Sequence, residues 1–389
     1  MRIILLIFFS ISCVFGIEHK IELSVGGMAY RTYANEFVTQ AKGSFGFEND
    51  LFSTHATLEC LYSSSYKQRR YCMVNELYII KDFSEYSLHF GKEIKYFGEL
   101  EGYNIADFYN QKNYLKDPFD KSAKYGNVGA DITHYFGDNS ITFGMKLYEE
   151  GLEYPQNNTP YTPFALSYDK DLYLSASRYT PTPYIAVSIV DDSFIESETQ
   201  LIFLHGYDTK RSFIFTTPTQ IAQYAYRVNK GLLLAHIIYN DTLYKTELGY
   251  TDVLDNSMMS DYTQLSFGVE QSLYDLVGCD MTVYVEYYAY LYSDDTKIKN
   301  VDISEIYDND LFVALRVAFE DAGSTELKLG VLEDFQKDQS VWKIEAKSRF
   351  FQHYILSGSY LGIFAKKDQT LLGAFANTNR LEFSIAYTF

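Results

Sequence analysis

Arg380-Leu381-Glu382-Phe383-Ser384-Ile385-Ala386-Tyr387-Thr388-Phe389 is the stretch that decides the fold. Leu381, Phe383, Ile385, Tyr387 and Phe389 take one set of alternate positions, and Arg380, Glu382, Ser384, Ala386 and Thr388 take the other. Successive side chains on a strand point to opposite faces, so this segment carries one apolar and one polar or small face. The same alternation recurs upstream. Leu311, Val313, Leu315, Val317 and Phe319 oppose Ala314, Arg316, Ala318 and Glu320; Trp342, Ile344, Ala346 and Phe350 oppose Lys343, Glu345, Lys347 and Arg349; Ile141, Phe143, Met145 and Leu147 oppose Thr142, Gly144 and Lys146. Such segments run to about ten residues, the length a membrane-crossing barrel strand needs, against ~5–6 in soluble sheets.

Composition agrees with that reading and removes other classes. Of 389 residues, 47% are hydrophobic and 17% aromatic, with 37 Tyr, 29 Phe and one Trp, yet mean hydropathy is slightly negative. The apolar residues are therefore dispersed among polar ones, which excludes a helical membrane protein and a disordered chain. A formal charge of −18 argues against a nucleic-acid partner. Four cysteines are too few for a disulfide scaffold or a cysteine-rich zinc protein.

The N-terminus departs from the pattern. Met1-Arg2 precedes an apolar run from Ile3 to Ile11, then smaller residues to Gly16, then Ile17-Glu18-His19-Lys20. One positive charge and a short apolar region describe a secretory signal peptide over 1–16, with Cys13 as an alternative lipidated terminus. The chain so divides into a leader, 1–16, and a barrel, 17–389.

Connections alternate in length. Short turns such as Asp82-Phe83-Ser84-Glu85, Gly137-Asp138-Asn139 and Tyr239-Asn240-Asp241 take turns with longer polar segments at 98–125, 150–161, 293–309 and 364–377. Short periplasmic turns and long outer loops are the asymmetry of outer-membrane barrels. A secreted β-sandwich also alternates, but it does not place Tyr and Phe at both ends of so many long segments, where a barrel sets its interfacial girdles. From residue 220 onward the pattern gives ten strands, beginning 220–228 and 230–240; upstream, 20–32, 53–64, 71–82, 86–97, 126–136 and 140–149 read as strands, and 162–217 holds two to five more. The expectation is an all-β, antiparallel transmembrane barrel of 18 strands, with 16 to 22 compatible with the spacing.

Two segments resemble known proteins. The final strand with its alternate apolar residues and terminal Tyr387 and Phe389 resembles the signal read by the barrel-assembly machinery of Gram-negative bacteria. Gly91-Lys92-Glu93-Ile94-Lys95-Tyr96-Phe97-Gly98, followed by Gly102, Asp107 and Asn110, is similar to a segment of the alginate-export and phosphate-selective porin-like families. Phe97 stands where those families usually carry Trp, and Gln111 where they carry Pro. The resemblance implies a Gram-negative outer-membrane porin and leaves the permeating solute open.

A barrel of this size leaves an aqueous interior, so the polar faces can be read for charge. From residue 220 the inward bases are Arg227, Lys245, Arg316, Lys328, Lys343, Lys347, Arg349 and Arg380, against Glu247, Glu270, Glu286, Glu320, Glu326, Glu345 and Glu382. Lys343, Lys347 and Arg349 form either a basic ladder or a stripe paired with neighbouring acids. The segment 98–125, with Glu99, Glu101, Asp107, Lys112 and Lys116 among its charges, is either a constriction folded into the lumen or an outward loop. Cys60 and Cys72 flank the centre of a hairpin and can meet across it. No Gly-x-Ser-x-Gly, His-Glu-x-x-His or phosphate-binding glycine loop is present, and the histidines show no ligand spacing, so no enzyme activity and no cofactor are expected. The expected partners are membrane lipids, the assembly machinery and small solutes, with a monomer and a homotrimer equally open. The competing readings are a structural or adhesive barrel without an open pore and a barrel lipase.

Overall fold

The computed structural model describes residues 18–156, 158–162, 166–193, 195–254, 259–294, 296–297, 303–366 and 370–389. The leader assigned to 1–16 lies outside the described residues. In chain order the strands are β1 (Glu18–Tyr30), β2 (Glu36–Glu48), β3 (Ser53–Ser63), β4 (Tyr71–Asp82), β5 (Tyr86–Glu93), β6 (Gln111–Lys112), β7 (Lys124–Tyr125) and β8 (Asn127–Phe136). They continue with β9 (Asn139–Lys146), β10 (Ser167–Leu174), β11 (Thr182–Asp191), β12 (Glu196–Tyr207), β13 (Ser212–Thr217), β14 (Gln220–Ala225), β15 (Arg227–Tyr239) and β16 (Thr242–Val253). The last are β17 (Tyr262–Leu273), β18 (Cys279–Tyr292), β19 (Asn309–Phe319), β20 (Glu326–Asp334), β21 (Gln339–Phe350), β22 (Tyr354–Phe364) and β23 (Arg380–Thr388).

Eighteen of these form one antiparallel sheet in which each strand pairs with its neighbours in sequence, and β23 pairs back onto β1, Ile385 opposite Val25. The closure leaves the sheet without an edge, the only way strands satisfy their backbone groups in hydrocarbon. The barrel is therefore the expected 18-stranded one. Its strands run from eight to fourteen residues. Outward side chains are apolar and uncovered: Phe383 is 64% exposed while Arg380, on the inner face, is 4% exposed. In water such a belt would drive aggregation; around a closed barrel it faces lipid. Among the described residues no helix is long and apolar enough to cross a membrane.

Two strand readings need correction. Residues 220–228 are not one barrel strand. Gln220–Ala225 belongs to a separate sheet in which β14 lies between β10 and β13, and the wall strand starts at Arg227. The pattern missed β2, whose outer face carries Phe37, Phe45 and Phe47 but is interrupted by Thr39, Ala41 and Gly43, which breaks the alternation in the middle of the strand. The ambiguous 162–217 resolves into two wall strands, β11 and β12, plus β10 and β13 of the separate sheet.

Cys60 and Cys72 sit opposite each other in the β3–β4 register and are joined as a disulfide, Cα atoms 4.0 Å apart, on the outer face beside Leu58 and Tyr62. The same strand pair carries a bulge between Thr57 and Leu58. The extra residue, Asn75, turns inward and is 3% exposed. A bulge re-aims a side chain in this way, and here it serves the lumen.

Candidate functional site: a half-filled lumen

The connection 94–126 lies against the inner wall on several sides. Its outgoing arm is gripped by wall carboxylates. Glu247 accepts from the N–H groups of Glu99 (3.2 Å), Ile105 (2.6 Å) and Ala106 (3.3 Å). Glu286 accepts from Glu101 (2.6 Å) and Gly102 (2.8 Å), and the Tyr288 hydroxyl accepts from Tyr103 (3.0 Å). Gly98 makes this approach feasible: its φ is +81°, and a Cβ there would fall 2.1 Å from Glu247 Oε1. The returning arm is held at the opposite side. Arg69 donates to the carbonyls of Leu115 (3.0 Å) and Lys116 (2.9 Å), Lys116 pairs with Glu59 (3.1 Å), and Asp117 pairs with Arg380. Asn75 donates to the Lys124 carbonyl and accepts from the Gly126 N–H, each at 3.0 Å.

Connections 147–181 and 208–226 pack beside it. Tyr114 joins Leu152, Tyr154, Tyr168 and Ile221 in one buried cluster; Ile105, Phe108 and Tyr109 join Tyr184, Ile202, Leu204, Tyr226 and Leu232 in another. Buried charge pins these segments: Arg211 and Lys146 both pair with Glu149, and Asp208 meets Lys230 at 3.1 Å and the hydroxyls of Tyr226 and Tyr262. Burial would raise the Asp208 carboxyl, but Lys230, Lys210 and the Tyr262 hydroxyl outweigh it and hold it down to about 2. An unfolded Asp titrates near ~3.9. The folded value is the lower one, so this stabilisation is complete above about pH 4 and fades as pH falls toward 2. Asp208→Asn is expected to remove roughly 2 kcal/mol of anchoring at neutral pH. Amide exchange over 208–226 will then be faster than in the wild type at pH 7 and will match it near pH 2.

The open volume lies on the other side, between residues 117–122 and the wall from β19 to β23. It consists of two adjoining cavities of about 330 and 380 Å³ that share Asp120, Lys328, Lys343 and Glu345. Together they are lined by six acids (Glu101, Asp117, Asp120, Glu326, Glu345, Glu382) and six bases (Lys112, Lys121, Lys328, Lys343, Lys347, Arg380). Neighbours neutralise one another: Lys328 with Glu101, Lys343 with Glu345 (3.0 Å), Lys347 with Glu326 (3.1 Å). Phe119, Phe312 and Val341 line the upper cavity as well.

Of the residues singled out in the sequence, Glu101, Lys112, Lys328, Lys343, Glu345, Lys347, Arg380 and Glu382 line this passage. Glu99 borders a separate small cavity near His236 and Lys245. Asp107 pairs with Lys124 (2.7 Å), Lys116 with Glu59, and Arg316 with Glu326 (2.7 Å). Arg349 is exposed near the short-turn rim, where its N–H donates to the Gly323 carbonyl. Tyr387 and Phe389 pack edge-to-face at 4.5 Å, with Tyr354 against Tyr387. Glu36, Arg69 and Tyr161, which set the returning arm, were not legible, because they lie at strand ends or in connections without period. Two acidic groups have metal-like spacing, His89/Glu93/Asp131 and Asp308/Asp310/Asp334. Each already meets a lysine, Lys95 in the first and Lys337 in the second.

No protein-family model matches the chain, and no curated protein matches it in sequence. Solved structures do. OccK2 (OpdF) of Pseudomonas aeruginosa superposes with a TM-score of 0.55 at 10% identity, over 96% of this chain and 97% of that one. A BenF-like porin from Pseudomonas fluorescens Pf-5 gives 0.55 at 9% identity, over 96% and 98%. OccK5 (OpdH) of Pseudomonas aeruginosa gives 0.52 at 10% identity, over 96% and 98%. The chain has a porin fold. The likeness spans nearly the whole of each porin-fold chain, so no extra globular domain separates them among the described residues.

Proposed function

We propose that this chain is an outer-membrane porin of a Gram-negative bacterium, through which small hydrophilic solutes or ions diffuse passively. The leader at 1–16 directs export, and the final strand, with Tyr387 and Phe389, is the segment offered to the assembly machinery. The connection 94–126, which contains the segment 98–125 read from the sequence, is the constriction. The observation that carries this reading is the pair of adjoining charge-lined cavities left between residues 117–122 and β19–β23. A pore with six acids facing six bases discriminates little by the sign of charge, since selectivity follows rings of one sign. OccK2 has been captured in complex with glucuronate, which fits a small charged or polar solute here too. No catalytic role is assigned. A second reading, a structural barrel, draws on the loops that fill the other half of the lumen.

Purified chain in planar bilayers separates the two: discrete conductance steps support the porin, and a folded chain without steps supports the structural barrel. Phospholipid hydrolysis by the same preparation would instead revive the lipase. The pH profile adds a signature. Burial pushes the Lys112 ammonium down to about 8, against the pull of Asp120, Asp117 and Asp107. Raising pH through that value neutralises one of the six bases, so the reversal potential in asymmetric KCl should move toward cation preference between pH 7 and 9. Lys112→Gln should show that preference at pH 7 and no further shift.

A further inference from the structure

The passage combines two features that a general diffusion pore does not need. Its charges are organised as pairs of opposite sign: Lys343 with Glu345 at 3.0 Å, Lys347 with Glu326 at 3.1 Å, Lys328 with Glu101 across the gap. Beside the first pair, in the same cavity, Phe119, Phe312 and Val341 present apolar surface to a lumen that in such barrels is polar. All three are only half-buried, so solvent reaches them.

We propose that this passage favours zwitterionic solutes bearing an apolar substituent, the chemistry of an apolar amino acid or a short neutral peptide. The proposal rests on the porin reading and narrows it to a solute class. A monoanion drawn to Lys343 meets Glu345 within a few ångströms, and a monocation drawn to Glu345 meets Lys343, so a single charge gains little. A solute with an ammonium and a carboxylate on one centre aligns antiparallel to such a pair and satisfies both ends. Its third substituent then lies against Phe119, Phe312 and Val341, where apolar contact removes exposed surface on both sides. An uncharged polyol can hydrogen-bond to the pairs but offers nothing to the apolar shelf.

Liposome swelling with the purified full chain tests this, using leucine, serine, lysine, glutamate and arabinose as solutes of similar size. Leucine should enter about threefold faster than lysine, glutamate or arabinose, with serine between. Val341→Thr combined with Phe119→Ser should abolish the advantage of leucine over serine, bringing their ratio of entry rates to about one. Lys343→Gln with Glu345→Gln keeps the net charge and should lower the entry of leucine and of serine relative to arabinose measured in the same variant. A wild-type ranking led by glutamate, lysine or arabinose overturns the proposal, and that ranking decides even if a variant fails to fold. Absence of KCl steps together with no swelling by any solute is a different result: it removes the porin reading itself.

Discussion

Replacing Glu247 and Glu286 together with alanine will raise single-channel conductance several-fold while the barrel stays closed. The two carboxylates accept five backbone N–H groups from residues 99–106, three at Glu247 and two at Glu286. An intramolecular hydrogen bond is worth ~1 kcal/mol net, so losing the acceptors of five N–H groups costs on the order of 5 kcal/mol. A shift of that size inverts a two-state equilibrium between docked and released arms. The wall does not depend on these side chains: β16 is laddered to β15 and β17, and β18 to β17 and β19, by backbone bonds. Heat-modifiable migration on gels should therefore still report a folded barrel. Glu247→Gln with Glu286→Gln keeps one acceptor oxygen per side chain and should give an intermediate conductance. Unchanged steps in the double alanine variant would mean that the connection 94–126 does not set the narrowest point.

What was legible in the sequence and what was not divides along one physical line. Period-two alternation is local, and it carried the barrel: Leu381, Phe383 and Ile385 point outward and are exposed while Arg380 and Glu382 face the lumen. Where Thr39, Ala41 and Gly43 interrupt the outer phenylalanines Phe37, Phe45 and Phe47, as in β2, the same rule lost the strand. Alternation also says "strand" without saying which sheet, so Gln220–Ala225 was assigned to the wall when it pairs with β10 and β13. The inner charges were visible one by one, but their partners were not. Lys328 meets Glu101 across 227 positions and Arg380 meets Asp117 across 263. Only the closed barrel and the loop inside it set those distances. The glycine at 98, by contrast, is a local signal of close backbone approach that points straight at Glu247.

Arg69→Ala should be the most damaging single substitution for the long-loop side of the barrel. The guanidinium is fully buried and pairs with Glu36, which is 4% exposed. It also donates to the carbonyls of Leu115 and Lys116 and lies 4.4 Å from the centre of the Tyr161 ring, which Arg380 approaches as well, at 5.2 Å. Three segments distant in sequence, around 36, 115–116 and 161, therefore converge on one cation. Without it, Glu36 keeps, among the described residues, the hydroxyls of Tyr30 and Ser63, which cannot neutralise a buried carboxylate. Removing one partner of a buried ion pair costs ~3–5 kcal/mol, mostly the penalty of the charge left behind. The matched change Glu36→Gln with Arg69→Met removes both charges at similar volume and should recover much of that loss, so the double variant will melt above Arg69→Ala. The barrel ladder stays intact in either case, and the damage should appear as proteolysis within 113–117 and 158–162 before the wall unfolds. Melting and proteolysis of Arg69→Ala indistinguishable from wild type would show that the loops are held by the apolar clusters alone.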